Sequence, residues 1–131
     1  MTWKELYNRT KKYMNEQDYS PFIHGGQVAT GIETASGKVY FGVNIDTSCD
    51  IGTCAERSAI LNMITHGETE IKKVVTIGRG EIRMPCGVCR EAMMQLHKDS
   101  GDIELLVDPV TEETIKLKEL MPNWWGTDRF D

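Results

Sequence analysis

Three cysteines in the sequence have the spacing of a metal site. Cys86 and Cys89 are three residues apart and follow Pro85, while Cys54 lies earlier in the chain. Both groups stand where a helix is expected to begin, and the free N–H groups and dipole of a helix start stabilise thiolates. Three thiolates around zinc leave the fourth position to water, which is typical of catalytic rather than structural zinc. The pattern therefore predicts one catalytic zinc ion per chain.

Glu56 lies two residues after Cys54 and is placed to move protons beside the metal. Attack on an aromatic ring carbon needs a strong nucleophile, and an amino group leaves readily only when it is protonated. Zinc makes its water acidic, and Glu56 can accept that proton, protonate a ring nitrogen and then help ammonia to leave. We expect the adjacent Arg57 to donate to the cysteine sulfurs and withdraw part of their charge. A ligand, one residue, Glu and a later Pro-Cys-x-x-Cys is the pattern of zinc-dependent deaminases.

Two simpler interpretations of these residues remain open. Thr53 and Glu56 also have the spacing of a helix capping box, in which both side chains only satisfy backbone N–H groups. A Pro-Cys-x-x-Cys segment can equally form half of a structural zinc site with four protein ligands. Cys49 is the only other cysteine in the chain, and we expect it to be a free thiol rather than the fourth ligand.

Hydrophobic periodicity predicts the elements that position these residues. Apolar residues at helical spacing predict helices over 3–16, 53–66 and 86–98. Runs of β-prone residues predict a hairpin within 27–45 around Ser36-Gly37, and strands over 74–77, 103–107 and 114–117. Strands and helices that alternate along the chain favour an α/β fold with a partly parallel sheet and helices on its faces. We expect a single domain over residues 1–131.

Composition and charge argue against several classes of function. The chain carries 20 acidic and 15 basic side chains, a formal net charge of −5, and no segment is basic enough to follow a phosphate backbone. We therefore expect no nucleic-acid partner. No apolar run approaches the roughly 18 residues of a membrane span, and residues 1–9 lack the features of a signal peptide. The sequence predicts a soluble cytoplasmic protein with no membrane partner, in which thiols stay reduced.

Further segments accompany the two zinc motifs. The five segments are Thr53-Cys54-Ala55-Glu56-Arg57, Pro85-Cys86-Gly87-Val88-Cys89-Arg90, Tyr19-Ser20-Pro21-Phe22, Gly42-Val43-Asn44-Ile45-Asp46 and Leu120-Met121-Pro122-Asn123-Trp124-Trp125-Gly126. Together they resemble the small, all-cysteine-ligated cytidine deaminases and their relative blasticidin-S deaminase, over nearly the whole chain. The resemblance implies that Phe22 lies against the pyrimidine and that Asn44 and Asp46 hold the ribose. It further implies that Ala55 contacts the substrate and that Trp125 reaches the active site of a neighbouring subunit.

The same resemblance implies a fold, an assembly and an activity. The fold would be a three-layer α/β/α cytidine-deaminase-like fold with a five-stranded mixed sheet, and its zinc would lie on two helix N-termini. The assembly would be a homotetramer with shared active sites. The activity would be zinc-dependent hydrolytic deamination of cytidine or deoxycytidine to uridine or deoxyuridine, with release of ammonia. A deaminase of bases within nucleic acid and a non-catalytic zinc module are the rival functions.

Some positions depart from the pattern of the resembling family. Asp46 is one methylene shorter than the usual Glu, Thr47 replaces the usual Asn, and the loop from Asp46 to Cys54 is one residue shorter. A modified cytosine nucleoside such as blasticidin S is therefore an alternative substrate. His24-Gly25-Gly26-Gln27 replaces an apolar Val-Gly-Ala-Ala segment, which predicts an altered base pocket.

Overall fold

The computed structural model of the protein describes residues 1–130, which form a mixed sheet of seven strands with helices on both faces. The helices are α1 (Trp3–Lys11), α2 (Ala55–Thr65), α3 (Gly87–Leu96) and α4 (Leu117–Leu120). The strands are β1 (Gln17–Ser20), β2 (Ile23–Thr34), β3 (Val39–Thr47), β4 (Ile71–Gly78), β5 (Glu81–Ile82), β6 (Glu104–Leu106) and β7 (Thr114–Lys116). Within residues 1–130, none of the helices combines the length and the apolar character that crossing a membrane requires.

The long strand β2 organises the sheet. It pairs antiparallel with β3 along one edge and with β1 and β4 along the other. Next, β4 pairs parallel with β6, β6 pairs antiparallel with β7, and β5 folds back on the end of β4. The predicted five-stranded sheet is therefore corrected to seven strands. The two unexpected strands contain four and two residues, and such short polar segments carry too little periodicity to be recognised in a sequence.

Two apolar clusters fill the space on opposite faces of the sheet. One contains buried residues of α2, α3 and α4 together with strand residues such as Ile32 and Val74. The other contains Leu6 of α1 packed with Val75, Ile77 and Leu106. Val74 and Val75 belong to different clusters because successive side chains of a strand point to opposite faces of the sheet. The mixed sheet between two helical layers confirms the predicted α/β architecture.

The first helix is shorter than its periodicity predicts. α1 ends at Lys11 rather than at residue 16, because the chain turns and Asn15 donates its backbone N–H to the carbonyl oxygen of Gly26 at 2.9 Å. Gly26 has a φ of 80°, and a Cβ there would collide with the backbone of Asn15. Only glycine tolerates both the left-handed backbone and this close approach. Pairing with β2 therefore overrides the helical periodicity beyond Lys11.

Two local features hold the start of α2 beside β3. A Cβ at Gly42 of β3 would collide with the backbone of Ser58 and Ala59, so glycine lets the helix pack directly on the strand. Thr53 and Ile45 exchange backbone hydrogen bonds of 3.0 and 3.1 Å. These contacts bring the residues before α2 next to the end of β3.

Candidate active site

Three cysteine sulfurs meet where α2 and α3 begin. The Sγ of Cys86 lies 3.7 Å from that of Cys54 and 3.6 Å from that of Cys89. All three sulfurs lie within 4.8 Å of one another. Zinc–sulfur bonds of about 2.3 Å in a tetrahedron separate two sulfurs by about 3.8 Å. The three cysteines can therefore hold a tetrahedral metal ion and leave one position open.

Cys49 is separate from this group of sulfurs. It is exposed in the loop before α2 and forms a hydrogen bond with the Thr47 hydroxyl at 3.1 Å. Among residues 1–130, the cysteine sulfurs that lie close enough together to share one metal ion are those of Cys54, Cys86 and Cys89. Cys49 does not belong to this group. This separation agrees with the expectation that Cys49 is a free thiol rather than a fourth ligand.

The helix starts leave the sulfurs free for a metal. Cys54 and Cys86 are the N-cap residues of α2 and α3, with extended backbones, and neither side chain makes a capping hydrogen bond within the described chain. Burial opposes ionisation of Cys86, but hydrogen bonds from the backbone and thiol of Cys89 outweigh it, so the pKa of Cys86 lies below its ordinary value. Burial, and then the charge of Glu56, raise the pKa of Cys89. A bound cation favours the thiolate form of all three side chains.

Glu56 lines a cavity together with Cys54 and Cys86. It belongs to the first turn of α2, and the residue is only 4% exposed. Burial raises the pKa of Glu56, while its own backbone N–H and then the nearby Thr76 hydroxyl and Arg57 charge partly oppose that rise. A buried carboxylate with a raised pKa beside metal ligands is suited to accept and return protons.

The capping box formed by Thr53 and Glu56 is absent from the described structure. α2 begins at Ala55 with Cys54 as its N-cap, so Glu56 is the second helical residue rather than the third. Thr53 lies outside the helix, in its bridge to Ile45. A capping box with Thr53 therefore does not account for the presence of Glu56.

Arg57 lies against the sulfurs, as its position next to Glu56 suggested. Its Nη2 is 3.8 Å from the Sγ of Cys54. Hydrogen bonds to Cys54 and then to Cys89 raise the pKa of Arg57. The guanidinium is thus placed to withdraw charge from two of the three sulfurs.

A cavity of about 470 Å³ opens over this cluster, within the range of roughly 300–1,000 Å³ typical of small-molecule sites. Three of the predicted substrate-binding residues, Asn44, Asp46 and Ala55, line the cavity together with Cys54 and Glu56. Asn44 is 9% exposed, and its Oδ1 accepts the backbone N–H of Val28 at 2.9 Å. The structure therefore brings two of the candidate metal ligands, the Glu56 carboxylate and a polar wall formed by Asn44 and Asp46 into one space.

Two predicted substrate-binding residues lie outside this cavity. Phe22 is 70% exposed and lines a separate depression of about 230 Å³. Trp125 is 60% exposed beside Trp124, and its indole N–H donates to Glu91 at 3.0 Å. Neither ring lines the 470 Å³ cavity within a single chain. The predicted contacts of Phe22 with the pyrimidine and of Trp125 with a neighbouring site stay predictions.

Several residues that were not predicted as site residues also line the cavity, and three of them have long polar side chains. Gln27 of β2 is one of them, and the two others are Arg79 and Arg83 around the β4–β5 turn. Both arginines are exposed. In the sequence they cannot be distinguished from ordinary solvent-exposed charges of a turn. The departure of His24-Gly25-Gly26-Gln27 from the apolar family segment was the available signal for Gln27.

Comparisons with known proteins agree with this geometry. Residues 1–100 match the family model of the cytidine and deoxycytidylate deaminase zinc-binding region. The chain is 31% identical over 108 residues to a cytidine deaminase of Mycoplasma genitalium. The matched region covers 80% of this chain and 82% of the relative. The chain is also 30% identical over 95 residues to a cytidine deaminase of Mycobacterium tuberculosis, with coverage of 70% and 67%.

The fold agrees as well. The crystal structure of cytidine deaminase from Mycobacterium tuberculosis superimposes with a TM-score of 0.77 at 21% sequence identity, covering 96% of this chain and 98% of that chain. The family match includes Cys54, Cys86 and Cys89, whose sulfurs form one cluster, and Glu56, which lines the cavity together with Cys54 and Cys86. The chain therefore belongs to the family that carries the cytidine and deoxycytidylate deaminase zinc-binding region.

Proposed function

We propose that the protein catalyses the hydrolytic deamination of cytidine or deoxycytidine to uridine or deoxyuridine, with release of ammonia. The observation that carries this proposal is the cavity that Glu56 lines together with Cys54 and Cys86, two members of a cluster of three cysteine sulfurs. Support also comes from the relatives in the comparisons, which are named cytidine deaminases. Those names favour cytidine over blasticidin S as the substrate.

In this proposal Cys54, Cys86 and Cys89 hold one zinc ion per chain. When bound, zinc supplies a water molecule acidic enough to act as the nucleophile near neutral pH. The Glu56 carboxylate accepts a proton, donates it to a ring nitrogen of the base, and transfers a proton to the leaving amino group. Its burial keeps bulk water from competing in these transfers. Arg57 neutralises part of the sulfur charge, which would otherwise weaken the Lewis acidity of the metal.

The polar wall of the cavity positions the nucleoside. Asn44 and Asp46 would contact the sugar, and Ala55 would contact the base. Phe22 would lie against the pyrimidine, and Trp125 would reach the active site of a neighbouring subunit in a homotetramer. These contacts accord with the exposure of the two side chains, 70% and 60%, in the single chain. The reduced thiols that such a site requires accord with a cytoplasmic location.

The proposal is tested by measuring ammonia release from the zinc-loaded protein. The substrates are cytidine, deoxycytidine, free cytosine, blasticidin S and a single-stranded oligonucleotide that contains cytosine. We expect turnover of cytidine or deoxycytidine. Full zinc occupancy without ammonia from any substrate would contradict the proposal and favour a non-catalytic zinc module. Turnover confined to blasticidin S or to the oligonucleotide would assign a different substrate.

A matched pair of cysteine variants connects this activity to the metal cluster. Cys89→Ala should lose zinc and ammonia release together, because Cys89 belongs to the sulfur cluster. Cys49→Ala, which removes the exposed thiol outside that cluster, should retain both. Equal activity in the two variants would show that catalysis does not depend on the metal site.

A further inference from the structure

A bulge in β2 directs a glutamine into the cavity. The three residues 26–28 of β2 lie opposite the single residue Asn44 of β3, whereas regular pairing places one residue opposite one. Asn44 closes the gap in the ladder by accepting the backbone N–H of Val28 at 2.9 Å. Bulges beside active sites commonly redirect a side chain. The middle residue of this bulge is Gln27, and it lines the same cavity as Glu56.

The Gln27 side chain is paired with a carboxylate at the cavity wall. Its Nε2 donates to the Oδ2 of Asp46 at 3.2 Å. A rotated amide would turn its oxygen toward the carboxylate and create a repulsive contact, so the charge of Asp46 selects the orientation in which the N–H donates. The hydrogen bond restrains one carboxylate oxygen and leaves Oδ1 available as an acceptor.

Stability does not explain a glutamine at this position. The Oε1 of Gln27 is buried and has no hydrogen-bond partner within residues 1–130. An unpaired buried carbonyl oxygen lowers stability, and an apolar side chain of similar shape avoids that loss. Hydrogen bonding of this oxygen within the described chain therefore does not explain the polar side chain, and such locally unfavourable choices are common at functional sites.

We propose that Gln27 is a positioning residue that determines recognition of the sugar. It holds the Asp46 carboxylate so that Oδ1 accepts a hydrogen bond from a hydroxyl group of the nucleoside. Asp46 is shorter than the glutamate of the resembling family, and the pairing with Gln27 restrains this shorter side chain at the cavity wall. The inference rests on the proposed deamination of a cytosine nucleoside and adds a specificity determinant to it.

The test is a double-mutant cycle in the zinc-loaded protein with cytidine as substrate. Gln27→Met removes both polar atoms and keeps a similar shape. We expect the KM to rise about ten-fold, as for the loss of a hydrogen bond to a charged group, while kcat changes less than about two-fold. The unfolding temperature should stay close to that of the parent, because removal of the unpaired oxygen offsets the loss of the hydrogen bond to Asp46. In an Asp46→Ala background the same substitution should have no further effect on kcat/KM.

Two further variants control for structural effects. Gln17→Met makes the same substitution on β1, where the glutamine is exposed and does not line the cavity, and it should leave KM unchanged. Gln27→Glu keeps the size of the side chain but places a second carboxylate against Asp46, and it should raise KM at neutral pH and less so at acidic pH.

Several outcomes would overturn the inference. An unchanged KM in Gln27→Met would show that the pairing does not serve the substrate. Parallel losses in kcat and unfolding temperature, or the same additional loss in the Asp46→Ala background, would show a structural role independent of Asp46. If the parent protein releases no ammonia from cytidine, the proposed function fails and this inference fails with it. Activity of the parent without an effect of Gln27→Met refutes the inference alone.

Discussion

Replacing Glu56 by glutamine separates proton transfer from every other role of that side chain. Glutamine keeps the size of glutamate but cannot carry a proton between water, ring nitrogen and leaving group. One general acid–base group contributes roughly 10²- to 10⁴-fold to turnover, or about 3–5 kcal/mol of barrier. Glu56 is 4% exposed, so bulk water cannot readily take over its function. We therefore expect a loss of turnover toward the upper end of that range.

The structure predicts the opposite direction for stability. Glu56 forms no capping box with Thr53, and burial raises its pKa, which means that the ionised side chain is less favourable in the folded protein than in the unfolded chain. A neutral glutamine avoids this desolvation. In the metal-free state, Glu56→Gln should therefore unfold at the same temperature as the parent or higher, and the variant should still bind zinc. Activity and stability should change in opposite directions, as is common for groups kept for catalysis.

The assay combines steady-state ammonia release from cytidine, zinc analysis and thermal unfolding. Glu113→Gln is the matched control because Glu113 is exposed and does not line the cavity, and it should behave like the parent in all three measurements. Near-normal turnover of Glu56→Gln would refute the proposed proton transfer. A loss of zinc from this variant would show that Glu56 supports the metal instead.

Three other predictions follow from the contacts of the described residues. Cys86→Ala should lose zinc and thermal stability together, because thiolate ligation links metal binding to folding, and retained zinc on metal analysis would contradict this. Arg57→Ala should keep the fold but move the pH–rate profile to more alkaline pH, because the Cys54 sulfur loses a donor at 3.8 Å, and an unchanged profile would assign Arg57 another role. Hydrogen bonds from Ser36, Tyr40 and Thr34 lower the pKa of Glu68 from 4.5 to about 2, so its contribution to stability is present above pH 4.5 and is lost as the pH falls toward 2. Denaturant unfolding should therefore show a weaker loss of stability over this acid range in Glu68→Gln than in the parent, and identical slopes would refute the assignment.

The sequence by itself determined the chemistry of the site, because that chemistry depends on residue types at short spacing. Cys86 and Cys89 lie on one helix turn wherever the helix is placed, and Glu56 lies beside Cys54 for the same reason. The long apolar elements β2 and β4 and the helix after Cys54 were also predictable, since each repeats its pattern over enough residues to be recognised.

Helix and strand ends depended on contacts that local periodicity does not encode. α1 stops early because Asn15 finds a partner in Gly26, and α2 starts at Ala55 because Thr53 bonds to Ile45. The second contact removed the capping box that sequence spacing allowed. Short strands such as β1 exist only because β2 offers a free edge to pair with.

Only the tertiary structure placed Gln27 against Asp46, which is 19 residues away in the chain. That contact requires the bulge at residues 26–28, the register of β2 on β3, and the closing hydrogen bond from Val28 to Asn44. A one-residue change of register turns every side chain of a strand to the opposite face, so no property of Gln27 alone predicts its position. The metal ligands were recognisable from spacing along the chain, whereas the wall of the cavity follows from how distant strands pair.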